Sequence, residues 1–278
     1  MNSFGGNWTK IKIEILVNYA KAYLKIMKGR EYFDLLYFDG FAGSGSIVKD
    51  DKVDIDLTVG AAKRIIEIND PMPFDKYYFV EKDKINFESL KKSTKDEFPS
   101  KKIFLSNEDC NKKLIDLSNF LRDPKNKNVR TLAYIDPCGM QVEWRSLESL
   151  KNLNLDMWIL VPTGMGVNRL LKKNGEISDV WLNRLEKFLG IEKREIKDLF
   201  YTKTPTLFEE FTDIRKEDKA IEKSAILYAD RLKEIFEYVS KPYELRNTNN
   251  SIMYHLFLTT NNNTAVKIAN DIVKKYNN

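Results

Sequence analysis

Short apolar runs recur along the first 165 residues and predict a parallel β-sheet. They lie at 35–38, 76–80, 102–105, 131–135 and 156–161. The first run contains no polar residue, which is typical of a strand covered on both faces, as in a parallel sheet with helices on either side. Helical segments separate the runs. This alternation predicts a doubly wound α/β fold.

The remaining segments predict a basic helix, a helical insertion and a hairpin. Apolar residues at helical spacing, with lysines around them, predict an amphipathic helix over 8–28. Its lysines lie either in solvent or against phosphate groups. Residues of about 166–238 have a mixed-charge helical pattern with no evident strand. Apolar stretches at 243–246 and 252–259 flank an Asn-rich turn and predict an antiparallel hairpin. We expect one domain over 1–278.

Composition narrows the class of protein. With 278 residues, of which 42% are hydrophobic and 31% charged, the chain can bury a full core. Two cysteines and one histidine argue against a disulfide framework or a zinc cluster. A net charge of +5 is compatible with a polyanionic partner. No apolar stretch approaches the roughly 18–20 residues of a membrane span, and no signal peptide is evident, so we expect a cytoplasmic protein without a membrane partner.

A glycine-rich turn follows the first predicted strand. Asp39 ends that strand, and Gly40, Gly43 and Gly45 lie in the segment DGFAGSG. Glycines permit backbone angles closed to other residues and let main-chain N–H groups approach a ligand. The turn therefore predicts a cofactor-binding loop.

Acidic residues end the next predicted strands. Glu81 follows the second strand, where nucleotide-binding α/β folds hold ribose hydroxyls, and Asp109 follows the third, where it could accept a hydrogen bond from an adenine amino group. Either acid could instead be a helix cap. Asp136, Pro137 and Cys138 follow the fourth strand. Ligands bind outside the carboxyl ends of parallel strands near the point where strand order reverses, which places Asp136 beside the glycine loop.

These features together resemble the Rossmann-like class I S-adenosylmethionine-dependent methyltransferases. The resemblance rests on DGFAGSG, on DPCG after the fourth strand and on the closing hairpin. It implies a mostly parallel seven-stranded sheet with an antiparallel C-terminal hairpin, and S-adenosylmethionine as cofactor. The implied cofactor-binding residues are Asp39, Gly40, Phe41, Ala42, Gly43, Ser44, Gly45, Glu81 and Asp109.

A second resemblance covers most of the chain. The segments WTKIKIEILVNYAKAY, YFDGFAGSG, YIDPCGMQVEW and YHLFLTT are similar to the three-Cys-motif partner family, TcmP. Its members are methyltransferase-like and are encoded beside a protein with a three-cysteine motif that resembles radical S-adenosylmethionine enzymes, often in phage or mobile-element settings. The resemblance implies such a protein partner and a role in phage defence or nucleic-acid modification.

The residues after the fourth strand indicate the chemistry. Amino-methyltransferases use an Asp/Asn-Pro-Pro-aromatic motif, in which the acid and the first proline's carbonyl accept hydrogen bonds from the target amine and the aromatic ring stacks on a flipped base. Asp136 and Pro137 match this motif, whereas Cys138 and Gly139 replace its last two residues. The stacking residue is then absent or supplied by another aromatic, such as Trp144 or Phe41, although Trp144 could equally lie in the core.

Cys138 admits a different mechanism. A Pro-Cys pair at this place also marks cytosine carbon-5 methyltransferases, whose thiolate attacks the ring. The other motifs of that class are not found, so we expect Cys138 to be a buried structural residue. Cys110 carries no motif and is also expected to be structural, and His255 is expected to be a satisfied sheet residue.

Two functions remain open at this point. The first is a methyltransferase acting on an amino group of a DNA or RNA base, with Asp136 positioning the acceptor. The second is an inactive methyltransferase-like protein that binds a cofactor or nucleic acid as part of a complex, which the altered DPCG motif favours. A nicotinamide-dependent dehydrogenase is disfavoured by FAGSG and by the hairpin.

Overall fold

A mixed eight-stranded sheet lies between two layers of helices. The structure is a computed structural model that describes residues 7–44, 60–173, 175–205 and 212–276. The strands are β1 Asp34–Asp39, β2 Lys76–Val80, β3 Ile103–Ser106, β4 Val129–Ile135, β5 Leu155–Val161, β6 Tyr201–Pro205, β7 Thr212–Lys216, β8 Tyr238–Val239, β9 Tyr243–Arg246 and β10 Ile252–Thr260. The helices are α1 Asn7–Met27, α2 Ala61–Ile66, α3 Lys84–Lys91, α4 Cys110–Arg122, α5 Trp144–Glu148, α6 Asn168–Leu170, α7 Asp179–Leu189, α8 Lys193–Phe200, α9 Ala220–Lys233 and α10 Asn263–Lys274.

The strand order confirms the predicted fold class. The order is β3-β2-β1-β4-β5-β10, and β8 and β9 both pair with β10. Strands β1 to β5 run parallel, and β10 runs antiparallel to β5. The sheet has eight strands where seven were expected, because the two-residue β8 also joins its edge. The chain builds outward from β1 to β3 and then returns to β4, so strand order reverses between β1 and β4.

Alternate residues of each central strand enter opposite core layers. In β1, Leu35 and Tyr37 pack on the side of α1, α2, α3 and α10. Leu36 and Phe38 pack on the other side, with α4, α5, α7, α8 and α9. Because both faces are covered, the strand carries no polar residue between Leu35 and Phe38, which explains the unbroken apolar run.

The N-terminal basic helix is present and packs on the sheet. It spans Asn7–Met27 and is followed by Gly29, whose φ of 82° suits a residue just beyond a helix end. Its lysines are mostly exposed, as at Lys21 and Lys25. Lys12 is the exception, because it is buried. Among the residues that the structure describes, no helix is both long and apolar enough to cross a lipid bilayer.

The segment 166–238 contains more than helices. Three of its helices, α7 to α9, contribute to the core on the β4–β5 face, as at Leu185, Phe200 and Leu232. It also contains β6 and β7, which form a separate antiparallel pair. The expectation of a segment without strands was therefore wrong. Their sequences, YTKTP and TDIRK, consist largely of Thr and charged residues and lack the alternating apolar pattern by which a half-buried strand is recognised. That the segment 166–238 is an insertion into the fold stays a prediction.

Candidate functional site

The candidate site lies at the carboxyl ends of β1 and β4. These two strands are parallel neighbours, with Asp39 opposite Tyr134. The backbone N–H of Gly40 donates to the carbonyl oxygen of Tyr134 over 2.9 Å. The turn after β1 is thereby fixed against β4, and Asp136 follows at the same edge, as expected for a reversal of strand order.

Asp39 holds the turn from inside. The residue is 1% exposed. Its Oδ1 accepts a hydrogen bond from the Phe41 N–H over 3.0 Å, and its Oδ2 accepts one from the Tyr37 hydroxyl over 3.4 Å. Burial raises the pKa of Asp39 to about 7, and the nearby charge of Asp136 adds to the effect. The carboxyl group therefore shapes the loop and is itself shielded from solvent.

The glycines of the loop have two different roles. A Cβ on Gly40 would lie 2.6 Å from the Cys110 sulfur and 2.9 Å from Ile135 Cδ1, so close core packing requires glycine there. Gly43 has a φ of +64°, and no atom of the described residues lies within 4 Å of a Cβ built on it. Gly43 therefore leaves space beside the backbone for a ligand.

The structure describes the glycine loop after β1 as far as Ser44. The Ala42 N–H donates to the Val80 carbonyl over 3.0 Å, which ties the loop to the end of β2. Ser44 accepts a hydrogen bond through its carbonyl oxygen from the Ser93 hydroxyl over 3.3 Å. Phe41 is partly buried against the core. Gly45, which is also predicted to bind cofactor, lies outside the described residues.

The predicted ribose and adenine ligands lie at the same edge of the sheet. Glu81 follows β2 and accepts a hydrogen bond from the Asp83 N–H over 2.7 Å. Asp109 caps α4 by accepting from the Asn111 N–H over 2.9 Å, and its other oxygen pairs with Lys82 at 3.0 Å. Burial would raise the pKa of Asp109, but the hydrogen bonds from Lys82 and Asn111 outweigh it and the pKa is lowered. Asp109 is thus a helix cap, and its contact with a cofactor stays a prediction.

Two asparagines at this edge were not found by the sequence analysis. Asn107 donates through Nδ2 to the Glu81 carbonyl over 2.8 Å. Asn111 donates to the Gln141 carbonyl over 2.9 Å and accepts from the Glu143 N–H over 2.7 Å. They join the loops after β2, β3 and β4. Asn107 lies two residues after the third predicted strand, which was the signal available for it, whereas Asn111 lies in the first turn of α4.

Asp136 forms an ion pair with Lys12. The Lys12 ammonium lies 2.5 Å from Asp136 Oδ2, and the two side chains are 10% and 16% exposed. The Tyr134 hydroxyl donates to the same oxygen over 3.1 Å. Among the described residues, no hydrogen bond ends on Oδ1 of Asp136. The carboxylate is therefore held by one oxygen while the other can accept a hydrogen bond from a ligand.

Aromatic residues surround this ion pair. The Lys12 ammonium lies 5.1 Å from the centroid of the Trp8 ring, and Trp8 in turn lies 5.2 Å from Tyr254 with the rings tilted by 31°. Burial raises the pKa of Tyr254 to about 12, with further contributions from Asp136 and Cys138. Lys12 and Trp8 were not predicted as site residues from the sequence. Their spacing of four on a predicted helix places both on one face and was the available signal.

The cysteines differ from expectation in one case. Cys110 is buried beside Gly40, as expected for a structural residue. Cys138 is exposed, so the expectation of burial was wrong. Partial burial together with the charge of Asp136 raises the pKa of the Cys138 thiol, which favours the protonated form over the nucleophilic thiolate. Pro137, between Asp136 and Cys138, is buried.

Trp144 and His255 are core residues. Trp144 is 4% exposed and packs edge-on against Tyr228, with the Arg231 guanidinium 4.5 Å from its ring centroid. Trp144 thus has no free face on which a base could stack. The hypothesis that it is the stacking residue is therefore wrong, and the alternative, a core position, is confirmed. His255 is buried in β10, with Nδ1 2.7 Å from the Thr163 hydroxyl. Burial lowers its pKa, as befits a satisfied sheet residue.

Strand order, glycine loop and antiparallel β10 together define the Rossmann-like fold of class I S-adenosylmethionine-dependent methyltransferases. Trm1 from Pyrococcus horikoshii, solved with S-adenosyl-L-methionine, aligns over 97% of this chain and 58% of its own, at 12% identity and a TM-score of 0.51. This chain therefore spans little more than half of Trm1. The likeness shows the fold.

Two further structures align more weakly. A spermidine synthase in complex with the transition-state analogue AdoDATO covers 98% of this chain and 66% of its own, at 11% identity and a TM-score of 0.43. An S-adenosylmethionine-dependent methyltransferase from Clostridium acetobutylicum covers 88% and 92%, at 8% identity and a TM-score of 0.34. Neither protein-family models nor curated proteins match the sequence.

Proposed function

We propose that this protein binds S-adenosylmethionine and methylates an exocyclic amino group of a nucleic-acid base. The observation that carries the proposal is the Asp136–Pro137 pair at the carboxyl end of β4, beside the glycine loop, where Oδ1 of Asp136 accepts no hydrogen bond from the described residues. Trm1, whose fold this chain shares, was solved with S-adenosyl-L-methionine.

The residues at the end of β1 suit this cofactor. Gly43 has open space beside it, and the turn is fixed by the buried Asp39 and by the bond from Ala42 to β2. Glu81 and Asp109 lie at the ends of the next two strands, where a ribose and an adenine would lie. Bound there, S-adenosylmethionine would supply an electrophilic methyl group on a sulfonium.

The residues after β4 would orient the acceptor. Oδ1 of Asp136 and the carbonyl oxygen of Pro137 would accept hydrogen bonds from the two N–H groups of the amine, which turns its lone pair toward the methyl carbon. The nitrogen forms a bond to that carbon while the carbon–sulfur bond breaks, its electron pair passing to sulfur. The methylated amine then loses one proton to solvent. Lys12 would hold the Asp136 carboxylate in place through Oδ2.

A measurement with labelled cofactor tests the proposal. The purified protein is incubated with methyl-tritiated S-adenosylmethionine and single-stranded DNA or RNA, and label in the nucleic acid is counted. Asp136→Ala should lower kcat/KM at least about 100-fold, because loss of positioning has effects of this size. Cys138→Ala is the control and should retain activity. Full activity in folded Asp136→Ala would refute the mechanism.

Cofactor binding is tested separately by isothermal titration. S-adenosylmethionine and its demethylated product should bind, whereas ATP should not, and Glu81→Ala should weaken binding of both. Binding alone is compatible with both the enzyme and the second candidate, a methyltransferase-like binding protein, and the methyl-transfer assay separates the two. That candidate is favoured by Cys138 and Gly139, which stand where the motif has a proline and an aromatic residue. Cofactor binding without methyl transfer to any nucleic acid would support it.

The resemblance to the TcmP family supports a further part of the proposal. We propose that the protein acts with a three-Cys-motif protein encoded beside it, in a phage-defence or modification setting. Co-expression of the two proteins followed by size-exclusion chromatography tests this point. Elution of the two chains at separate volumes, with no change in methyl transfer when they are mixed, would refute it.

A further inference from the structure

The loop after β4 lacks an aromatic residue for stacking on a base. Cys138 and Gly139 occupy the last two positions of the Asp-Pro-Pro-aromatic pattern, and Trp144 is buried under Tyr228 and Arg231. Phe41, the other aromatic residue considered, is partly buried and packs against the core. The β4 loop would therefore hold a base presented to Asp136 by its amino group alone. Hydrogen bonds to one edge fix the direction of an amine but leave the ring plane free, so a stacking surface from elsewhere is needed.

An aromatic residue of α1 lies beside Asp136. Trp8 is partly exposed, and its ring lies 5.1 Å from the Lys12 ammonium, which is itself 2.5 Å from Asp136. Tyr254, which is 4% exposed, packs against the Trp8 ring. Tyr254 and Lys12 thus position the indole, which unlike Trp144 at 4% exposure still keeps part of its surface in solvent. A ring held in this way loses little freedom when a ligand stacks on it.

Helix α1 also carries exposed lysines that a nucleic-acid strand could contact. Lys10, Lys21 and Lys25 are exposed, although residues at these spacings from Trp8 do not share its face of the helix. Aromatic rings that contact bases, together with lysines that contact phosphates, are the combination by which single-stranded nucleic acids are bound.

We infer that Trp8 is the stacking surface for the acceptor base, in place of the aromatic residue that the β4 loop lacks. The inference rests on the proposed function and identifies the acceptor class as a planar base in a single strand or flipped out of a duplex. Lys12 is a positioning residue that connects the stacking surface on α1 to the carboxylate that holds the amine.

Tryptophan fluorescence tests the stacking without relying on activity. Of the four tryptophans, Trp144 and Trp158 are 4% and 0% exposed, so Trp8 and Trp181 are the two that a ligand can reach. In a Trp181→Phe background, a single-stranded oligonucleotide added with S-adenosylhomocysteine should quench the emission of Trp8. The same titration with Trp8→Phe in that background should show no quenching. Quenching of equal size in both proteins would overturn the inference.

Kinetics give the second test. Trp8→Ala should lower kcat/KM roughly 5- to 150-fold, mainly through KM, which is the range that base–aromatic stacking provides. Trp8→Phe keeps a ring and should retain most of the activity, and Trp181→Phe is the matched control with no expected change. All four proteins are compared at one salt concentration, because phosphate contacts weaken steeply with salt. Wild-type kcat/KM in Trp8→Ala would overturn the inference.

The two tests separate failure of the inference from failure of the proposed function. A wild-type protein that transfers no methyl group contradicts the proposed function, but quenching by the oligonucleotide would still establish Trp8 as a base-stacking residue. An active wild-type enzyme with an equally active Trp8→Ala variant contradicts the inference alone. The titration of S-adenosylmethionine should be the same for wild type and Trp8→Ala, which shows that a lost activity arises at the acceptor.

Discussion

Replacement of Lys12 by methionine should destabilise the fold far more than replacement of any exposed lysine of α1. Lys12 and Asp136 are separated by 124 positions in sequence, and their ion pair connects the N-terminal helix to the end of β4. Lys12→Met keeps most of the apolar stem of the side chain and removes the charge. Asp136 would then keep only the hydrogen bond from Tyr134 to its carboxylate.

The size of the effect follows from burial. The side chains of Lys12 and Asp136 are 10% and 16% exposed, so little water can solvate a carboxylate that has lost its partner. Removing one member of a buried pair costs about 3–5 kcal/mol, whereas exposed pairs contribute only about 0–1 kcal/mol. Since a little solvent contact remains, we expect Lys12→Met to lower the free energy of unfolding by about 3 kcal/mol. For a chain of this size the melting temperature should fall by roughly 10 °C.

Urea denaturation of four proteins measures the effect. Lys21→Met is the matched control, because Lys21 is exposed on the same helix, and its unfolding free energy should change by less than about 0.5 kcal/mol. The double variant Lys12→Met/Asp136→Asn removes both charges and should lose about 1 kcal/mol or less relative to wild type. If Lys12→Met is no less stable than Lys21→Met, or if the double variant is as unstable as Lys12→Met, the argument from a buried pair is wrong.

Two further predictions concern the loop after β1. Gly40→Ala should lower the free energy of unfolding by about 1–3 kcal/mol, because its Cβ would press on Cys110 and Ile135; Gly139→Ala, with nothing within 4 Å of its Cβ, is the control in urea denaturation, and equal losses would refute the reasoning. Asp39 should make the fold less stable as pH rises. Its pKa is about 7 in the folded protein against 3.8 as the ordinary value, so the folded state binds the proton more tightly and its contribution is lost between pH 4 and pH 7. The stability of wild type relative to Asp39→Asn should fall over that window, by up to about 4 kcal/mol, and remain flat above it. A difference that rises or does not change with pH would contradict the burial of Asp39.

Most of the fold could be predicted because its central strands are covered on both faces. Such strands read as unbroken apolar runs, as at Leu35–Phe38, and their alternation with helices predicts a parallel sheet. Strands β6 and β7 could not be predicted, since their sequences YTKTP and TDIRK lack the alternation that marks a half-buried strand. A strand is recognised in sequence by the apolar residues that it buries, and the sequences of β6 and β7 show no such pattern.

The candidate site was predictable only where its residues are neighbours in sequence. The glycine loop and Asp136–Pro137 are contiguous motifs at strand ends. The ion pair of Asp136 with Lys12 depends on how α1 docks, and the spacing of Trp8 and Lys12 shows only that the two share a face of the helix. Lys12 otherwise looks in sequence like the other lysines of α1. Trp144 illustrates the converse, because a tryptophan just after a motif suits either a site or a core, and only the packing of α9 on it decides.

The two acids at the ends of β1 and β4 illustrate how one edge of a sheet can give like residues different roles. Asp39 is enclosed, burial raises its pKa to about 7, and its Oδ1 accepts a hydrogen bond from the backbone of the turn. Asp136 has Lys12 beside it and keeps one oxygen without a protein partner among the described residues. Asp39 is therefore suited to hold the loop, and Asp136 to receive the acceptor.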